Sequence, residues 1–206
     1  MPPKKGQRQA RGLARQDQIL DAAFELFATN GVRGTTIAAV AEQVGLSEAG
    51  LLHHFPSKDA LLMAVLARAD ASFADTEAWV AEPGGGLESL RRMPATARVL
   101  AERPMLARLR AIVSAESMVN DGAARVYVRE RTAQIRRILT EALAEGVRRK
   151  DLKADINPAA RAAEIVAFME GIQIEWVLDP DAIDMVDAYE SYIGSLLQQI
   201  ATPDRL

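Results

Sequence analysis

Residues 35–61 read TTIAAVAEQVGLSEAGLLHHFPSKDAL, and this stretch decides the fold. Thr35 and Thr36 offer an N-cap hydroxyl for a helix over about 37–43. Gly45 ends that helix. Ser47 caps a second short helix, about 48–54, and Pro56-Ser57 opens a longer one with Ser57 as its cap. Two short helices joined by three residues must cross steeply. That geometry needs a small residue at their contact, a flexible residue in the turn and apolar residues beneath. Ala41 meets the first need and Gly45 the second. Ile37, Val40, Val44, Leu46 and Leu51 meet the third. The spacing predicts a helix-turn-helix; the competing reading is an ordinary helical hairpin.

The flanking sequence is helical as well. Residues 15–29 place Ile19, Leu20, Ala23, Phe24 and Phe27 on one face, and Asn30-Gly31 stops the helix. The helix that Ser57 caps buries Leu61, Leu62, Val65 and Leu66 and runs through Trp79. Glu82-Pro83-Gly84-Gly85-Gly86 is the clearest break. No strand precedes it and no Lys-Ser/Thr follows, so it reads as a loop and not as a phosphate cradle. Beyond it, helices are predicted over about 87–102, 104–118, 122–149, 158–178 and 181–201. Pro94 should kink or divide the first of these. Pro158 and Asp181 suit the starts of the last two. No stretch keeps strand-like alternation, so the chain reads as all-α.

Composition removes several function classes. The 206 residues are 49% hydrophobic and 26% charged, a globular balance. There is no cysteine, which excludes disulfide scaffolds, thiol nucleophiles and zinc fingers. The two histidines, His53 and His54, are adjacent and point apart on a helix, which argues against a histidine metal centre. No Glu-x-x-His pairs cluster and no nucleophile stands beside a base, so neither a catalytic residue, a metal ligand nor a cofactor is predicted. No run approaches the roughly 18 apolar residues of a membrane span, and no apolar stretch follows the basic N-terminus as a secretory signal would require. Lys4, Lys5, Arg8, Arg11 and Arg15 all precede the first acid, Asp17. Residues 1–70 carry eight basic and seven acidic side chains, and 71–206 carry 17 and 21. A basic arm over 1–14 on an acidic body fits a nucleic-acid binder; a solvated tail is the competing reading.

Thr35-Thr36-Ile37, Ala41-Glu42, Val44-Gly45-Leu46-Ser47, Gly50-Leu51 and His53 through Leu61 resemble the DNA-binding domain of tetracycline-repressor-type (TetR-family) regulators. The likeness covers residues 15–62, and Gly171 through Pro180 is similar to the penultimate helix of many such proteins. The resemblance implies an N-terminal three-helix domain, about 15–60, and a C-terminal helical domain for ligand binding and dimerisation, 61–206. It further implies a homodimer, a palindromic double-stranded DNA operator and a small-molecule effector. Carried over by position, Thr36, Ser47 and Lys58 would meet phosphate. Glu48, Ala49, Gly50, Leu52 and His53 would face the groove, with Arg8 and Arg11 as arm contacts. Two positions depart from the family. Leu52 stands where tyrosine is usual, which removes a phenolic hydrogen bond. Glu48 stands where lysine, glutamine or arginine is frequent; it either accepts from a cytosine amino group or supports its helix dipole. Of His53 and His54, one meets DNA and the other packs or caps.

The C-terminal half must dimerise. Ile165, Phe168, Met169, Ile172 and Trp176 share one face of their helix, and Val166, Ala167, Ile174, Val177 and Leu178 the other. The first face is assigned to the chain's own core and the second to a partner. Tyr189, Ile193 and Leu197 extend the predicted interface along the last helix, and burial within a monomer is the alternative. Met93, Met105, Met118, Phe168, Met169 and Trp176 are the candidate effector-pocket lining, with Glu116, Gln173 and Glu175 as polar anchors. The chain is predicted to be a cytoplasmic repressor, because occlusion of DNA needs no activating surface. An activator and a dimerisation protein without inducer are the alternatives.

Overall fold

A computed structural model describes residues 5–71 and 86–205, with side chains from residue 12 to residue 204. Lys4, the side chains of Arg8 and Arg11, Trp79 and residues 82–85 of the break lie outside the described residues. The described residues form helices α1 (Lys5–Gly34), α2 (Ile37–Gln43), α3 (Glu48–His54), α4 (Lys58–Ala71), α5 (Leu87–Ala101), α6 (Pro104–Ser117), α7 (Ala123–Arg148), α8 (Pro158–Leu178) and α9 (Met185–Ile200). The chain divides into two compact units, residues 1–71 with 112–125 and residues 72–111 with 126–206. Helix α6 is continuous across that division.

Capping explains most boundaries. Thr36, Ser47 and Asn157 accept hydrogen bonds from the first-turn N–H groups of α2, α3 and α8, and Ser57 does the same for α4. Pro158 sits at the start of α8, where its missing N–H costs nothing. Two expectations are corrected and one is narrowed. Helix α1 begins at Lys5, so residues 5–14 belong to that helix and not to a separate arm. Of the kink or division expected at Pro94, division does not occur, because α5 runs through it. Helix α9 starts at Met185 with Asp184 as its cap, not at Asp181; Asp179 spends its carboxylate on the Ala182 N–H in the preceding turn.

In the first unit, α1 packs on α2 and α4, and α2 packs on α3. Ile19, Ala23, Phe27, Val40, Ala41, Leu51, Leu61, Leu62, Val65 and Leu66 form its core. In the second unit, α5 and α9 make the most extensive contact. Leu90, Met93, Ala97, Leu143, Ile165, Tyr189, Ile193 and Leu196 are buried there. Burial, with Glu170 nearby, pushes the Tyr189 phenol far above the usual tyrosine range, so it stays a neutral donor. Phe168 stacks on Tyr192 with ring centroids 3.9 Å apart and meets Tyr189 edge-on at 5.3 Å.

Candidate nucleic-acid interface

The outer face of α3 is set by what its inner face buries. Leu51 is fully buried, and Ala41 on α2 lets the two helices approach. Gly45 holds φ at +65°, a conformation that side chains with a Cβ rarely adopt, and so turns the chain between them. The Leu46 N–H donates to the Ala41 carbonyl at 2.8 Å and closes that turn. With Leu51 inward, Glu48, Ala49, Leu52 and His53 are exposed together, and Leu52 shows 39% of its surface. Their i, i+1, i+4, i+5 spacing puts them on one helical face. Gly50 is half-buried; a Cβ there would sit 3.3 Å from Ser47 Oγ, so bulk would disturb the α3 cap. His54 is half-buried and meets the His53 ring edge-on at 5.9 Å. His53 is thus the histidine on the outer surface.

Thr36 and Ser47 are exposed beside this face. The Thr36 hydroxyl oxygen accepts from the Ala39 N–H and that of Ser47 from the Gly50 N–H, both at 3.1 Å. Each oxygen is thereby oriented while its own O–H proton remains available to donate. Arg15, one of the basic residues ahead of Asp17, donates from Nη2 to the Val44 carbonyl at 2.8 Å and fastens the end of α2 to α1.

Lys58 has partners within the fold. Its ammonium is half-buried and donates to the Val32 carbonyl at 3.0 Å and to the Thr35 carbonyl at 3.1 Å. Its first role is to hold the α1–α2 junction. Glu116, read from sequence as an effector anchor, belongs to the same junction: its carboxylate accepts from the Val32 and Arg33 N–H groups, each at 3.1 Å. No local sequence signal marks that contact, because its partners lie 84 and 83 residues away.

The remaining predicted residues are dispersed. Met118 is 74% exposed just past the end of α6 and belongs to the first unit. Met93 is core, while Met105, Met169 and Trp176 are half-buried. Gln173 Nε2 donates to the Ala107 carbonyl at 3.0 Å, which ties α8 to α6. An open cleft of about 580 Å³ between α5 and α9 is lined by Arg91, Arg98, Glu190, Ile193 and Leu197, and by none of the predicted effector residues. The predicted interface is corrected in part. Val166, Tyr189 and Ile193 are buried by their own unit and have no surface to offer a partner. Val177 and Leu197 are half-buried, while Ile174 is 42% and Leu178 75% exposed. The exposed stripe of α8 is Ala160, Ala163, Ala167, Gly171, Ile174 and Leu178, spaced three or four residues apart.

Among the described residues no group of three or more His, Asp or Glu side chains could hold a metal ion, and no helix is long and apolar enough to cross a membrane. Comparison with known families agrees with the helix-turn-helix. The family model for bacterial regulatory proteins of the tetR family matches residues 19–65. That for the BetI-type transcriptional repressor C-terminal domain matches residues 88–198. The chain belongs to the TetR family of bacterial regulatory proteins. It is a helix-turn-helix transcriptional regulator. The regulator TtgR of Pseudomonas putida is 26% identical over 193 residues, covering 89% of this chain and 90% of its own. A TetR regulator from Chloroflexus aurantiacus superposes with a TM-score of 0.81 at 23% identity, covering 93% of this chain and 98% of its own. FadR of Bacillus subtilis, solved in complex with stearoyl-CoA, gives a TM-score of 0.74 at 21% identity, covering 87% and 96%. Both solved structures share the TetR fold.

Proposed function

We propose that this TetR-family regulator is a cytoplasmic homodimeric repressor that binds a palindromic operator and is released by a small-molecule effector, with no catalytic step of its own. The observation that carries the reading is the exposed face of α3 with oriented hydroxyls beside it. Glu48, Ala49, Leu52 and His53 face outward from a short helix of the size that enters a major groove. Thr36 and Ser47 stand where their free O–H protons can donate to phosphate. The acidic balance beyond residue 70 leaves DNA contact to the N-terminal unit.

The exposed α8 stripe supports the dimer. Ala163, Ala167 and Gly171 allow close backbone approach, and Ile174 and Leu178 supply apolar area that a lone chain leaves in water. Ala167, Ile174 and Leu178 are the partner-face residues predicted from sequence that this reading keeps. A two-fold pair places two reading heads on two half-sites, which is the basis of a palindrome. The effector is assigned to the second unit, where Phe168, Met169, Gln173 and Trp176 occupy α8. A neighbour that carries stearoyl-CoA supports an amphipathic molecule. The test is a mobility-shift assay on DNA flanking the coding region, with and without metabolite mixtures. A retained complex that no mixture releases would favour a regulator without inducer, and no complex at all would remove the operator.

A further inference from the structure

The junction between α1 and α2 is held from both sides by groups of opposite charge. Gly31 takes φ of +77°, which interrupts the helical ladder of α1 and turns its backbone groups outward. The carbonyls of Val32 and Thr35 are taken by the Lys58 ammonium. The N–H groups of Val32 and Arg33 are taken by the Glu116 carboxylate. Thr35 Oγ donates to the carbonyls of Leu26 and Gly31 at 3.1 and 2.8 Å. The cation meets acceptors and the anion meets donors, so each ion is matched to the polarity of the peptide groups it holds.

Space as well as charge fits Glu116 to this place. A Cβ on Gly31 would lie 2.7 Å from Glu116 Oε1, closer than real Cβ contacts come. The carboxylate fills the room that glycine leaves. Immediately after the junction comes Thr36, the α2 cap and candidate phosphate donor.

We propose that Glu116 is a positioning residue for operator binding: it sets the α1–α2 junction, and with it Thr36 and the reading helix. The inference rests on the operator-binding reading above and assigns to this carboxylate a role distinct from ligand contact. It touches neither DNA nor effector. Its hold is on two amides, those of Val32 and Arg33.

The test uses the full chain, an operator duplex selected from the DNA flanking its coding region, and a scrambled duplex of equal length. Glu116→Ala should weaken operator binding about tenfold or more, the scale of losing a charge-assisted hydrogen bond. It should change affinity for the scrambled duplex less than about twofold, since phosphate contacts common to both are retained. Glu116→Gln keeps an acceptor oxygen without the charge and should fall between wild type and Glu116→Ala. Amide hydrogen exchange gives a second readout. In Glu116→Ala the Val32 and Arg33 amides should lose protection while that of Leu51 in α3 keeps it. Operator affinity within twofold of wild type would overturn the proposal. So would equal losses on both duplexes, or loss of Leu51 protection, either of which makes Glu116 a general stabiliser. If the wild-type protein does not distinguish the two duplexes, operator binding itself fails and the proposal falls with it.

Discussion

Replacing Lys58 with methionine separates two jobs that one ammonium could do. The substitution keeps the length and apolar stem of the side chain and removes its charge and donors. In the folded chain those donors serve the carbonyls of Val32 and Thr35, and Thr35 is buried. A hydrogen bond to a charged group contributes about 1.5–3 kcal/mol when well buried. Lys58 is only half-buried, and water can serve part of what it abandons. The expected loss for the two bonds together is therefore about 2 kcal/mol. If the chain unfolds as one, that loss lowers Tm by about 4–8 °C. A phosphate contact predicts something else: each lysine on DNA contributes about 0.9 to the slope of log affinity against log salt, so a dimer would lose about 1.8. Thermal unfolding and a salt titration on random-sequence DNA measure both quantities on one preparation. A lower Tm with an unchanged slope is the expected result. A slope reduced by about 1.8 with an unchanged Tm would refute the reasoning and give Lys58 to the DNA backbone.

Three further outcomes are expected. Ser47→Ala removes the acceptor for the Gly50 N–H and an outward donor; it should cost about 1 kcal/mol of stability and weaken specific and random DNA by similar factors, as urea unfolding and mobility shifts would measure. Glu48→Gln should change the preferred base at one position of each half-site from cytosine towards adenine and raise non-specific affinity, which binding-site selection reads directly; an unchanged profile leaves Glu48 only its helix-dipole role. Ile174→Glu should yield a monomer in sedimentation with its helix content kept, because a carboxylate would be buried unpaired between partners; a mutant that stays dimeric moves the interface off the exposed α8 stripe.

What could be read in the sequence was what depends on near neighbours. The caps at Thr36, Ser47 and Ser57 each bond an N–H three residues on, so their chemistry lies within one turn. The turn at Gly45 is legible for the same reason. Capping alone was ambiguous at α9, because Asp179, Asp181 and Asp184 are all good caps within six residues and packing chose the last. The roles of Lys58 and Glu116 were not legible. Their partners lie 23 to 84 residues away, so the sequence offered Lys58 as a phosphate contact and Glu116 as an effector anchor, and only the folded junction shows their partners. The α8 faces failed for a different reason. Val166 and Ala167 differ by only about 100° around the helix axis, and a helix apolar on two sides does not say which side its own domain takes. The fold buries Val166 and leaves Ala167 in water.

The composition of the reading face bears on how affinity must be assembled. Of the four outward residues of α3, only His53 carries a hydrogen-bond donor; Glu48 is an acceptor when ionised, and Ala49 and Leu52 are apolar. Such a face reads thymine methyl groups and a cytosine amino group better than guanine, for which arginine or lysine is the usual partner. It also brings a negative charge towards phosphate, which lowers the affinity of a single head. The compensation has to come from sequence-independent contacts and from repetition. On the proposed reading Thr36 and Ser47 are neutral phosphate donors, whose bonds release few counterions, so the affinity should depend on salt less steeply than that of a face built on lysines. Linking two such heads makes the second half-site contact intramolecular and multiplies weak binding without any new contact. If the proposed reading holds, with Glu48 and Leu52 in the groove, a single head binds weakly and the proposed dimer supplies the affinity that the α3 face lacks.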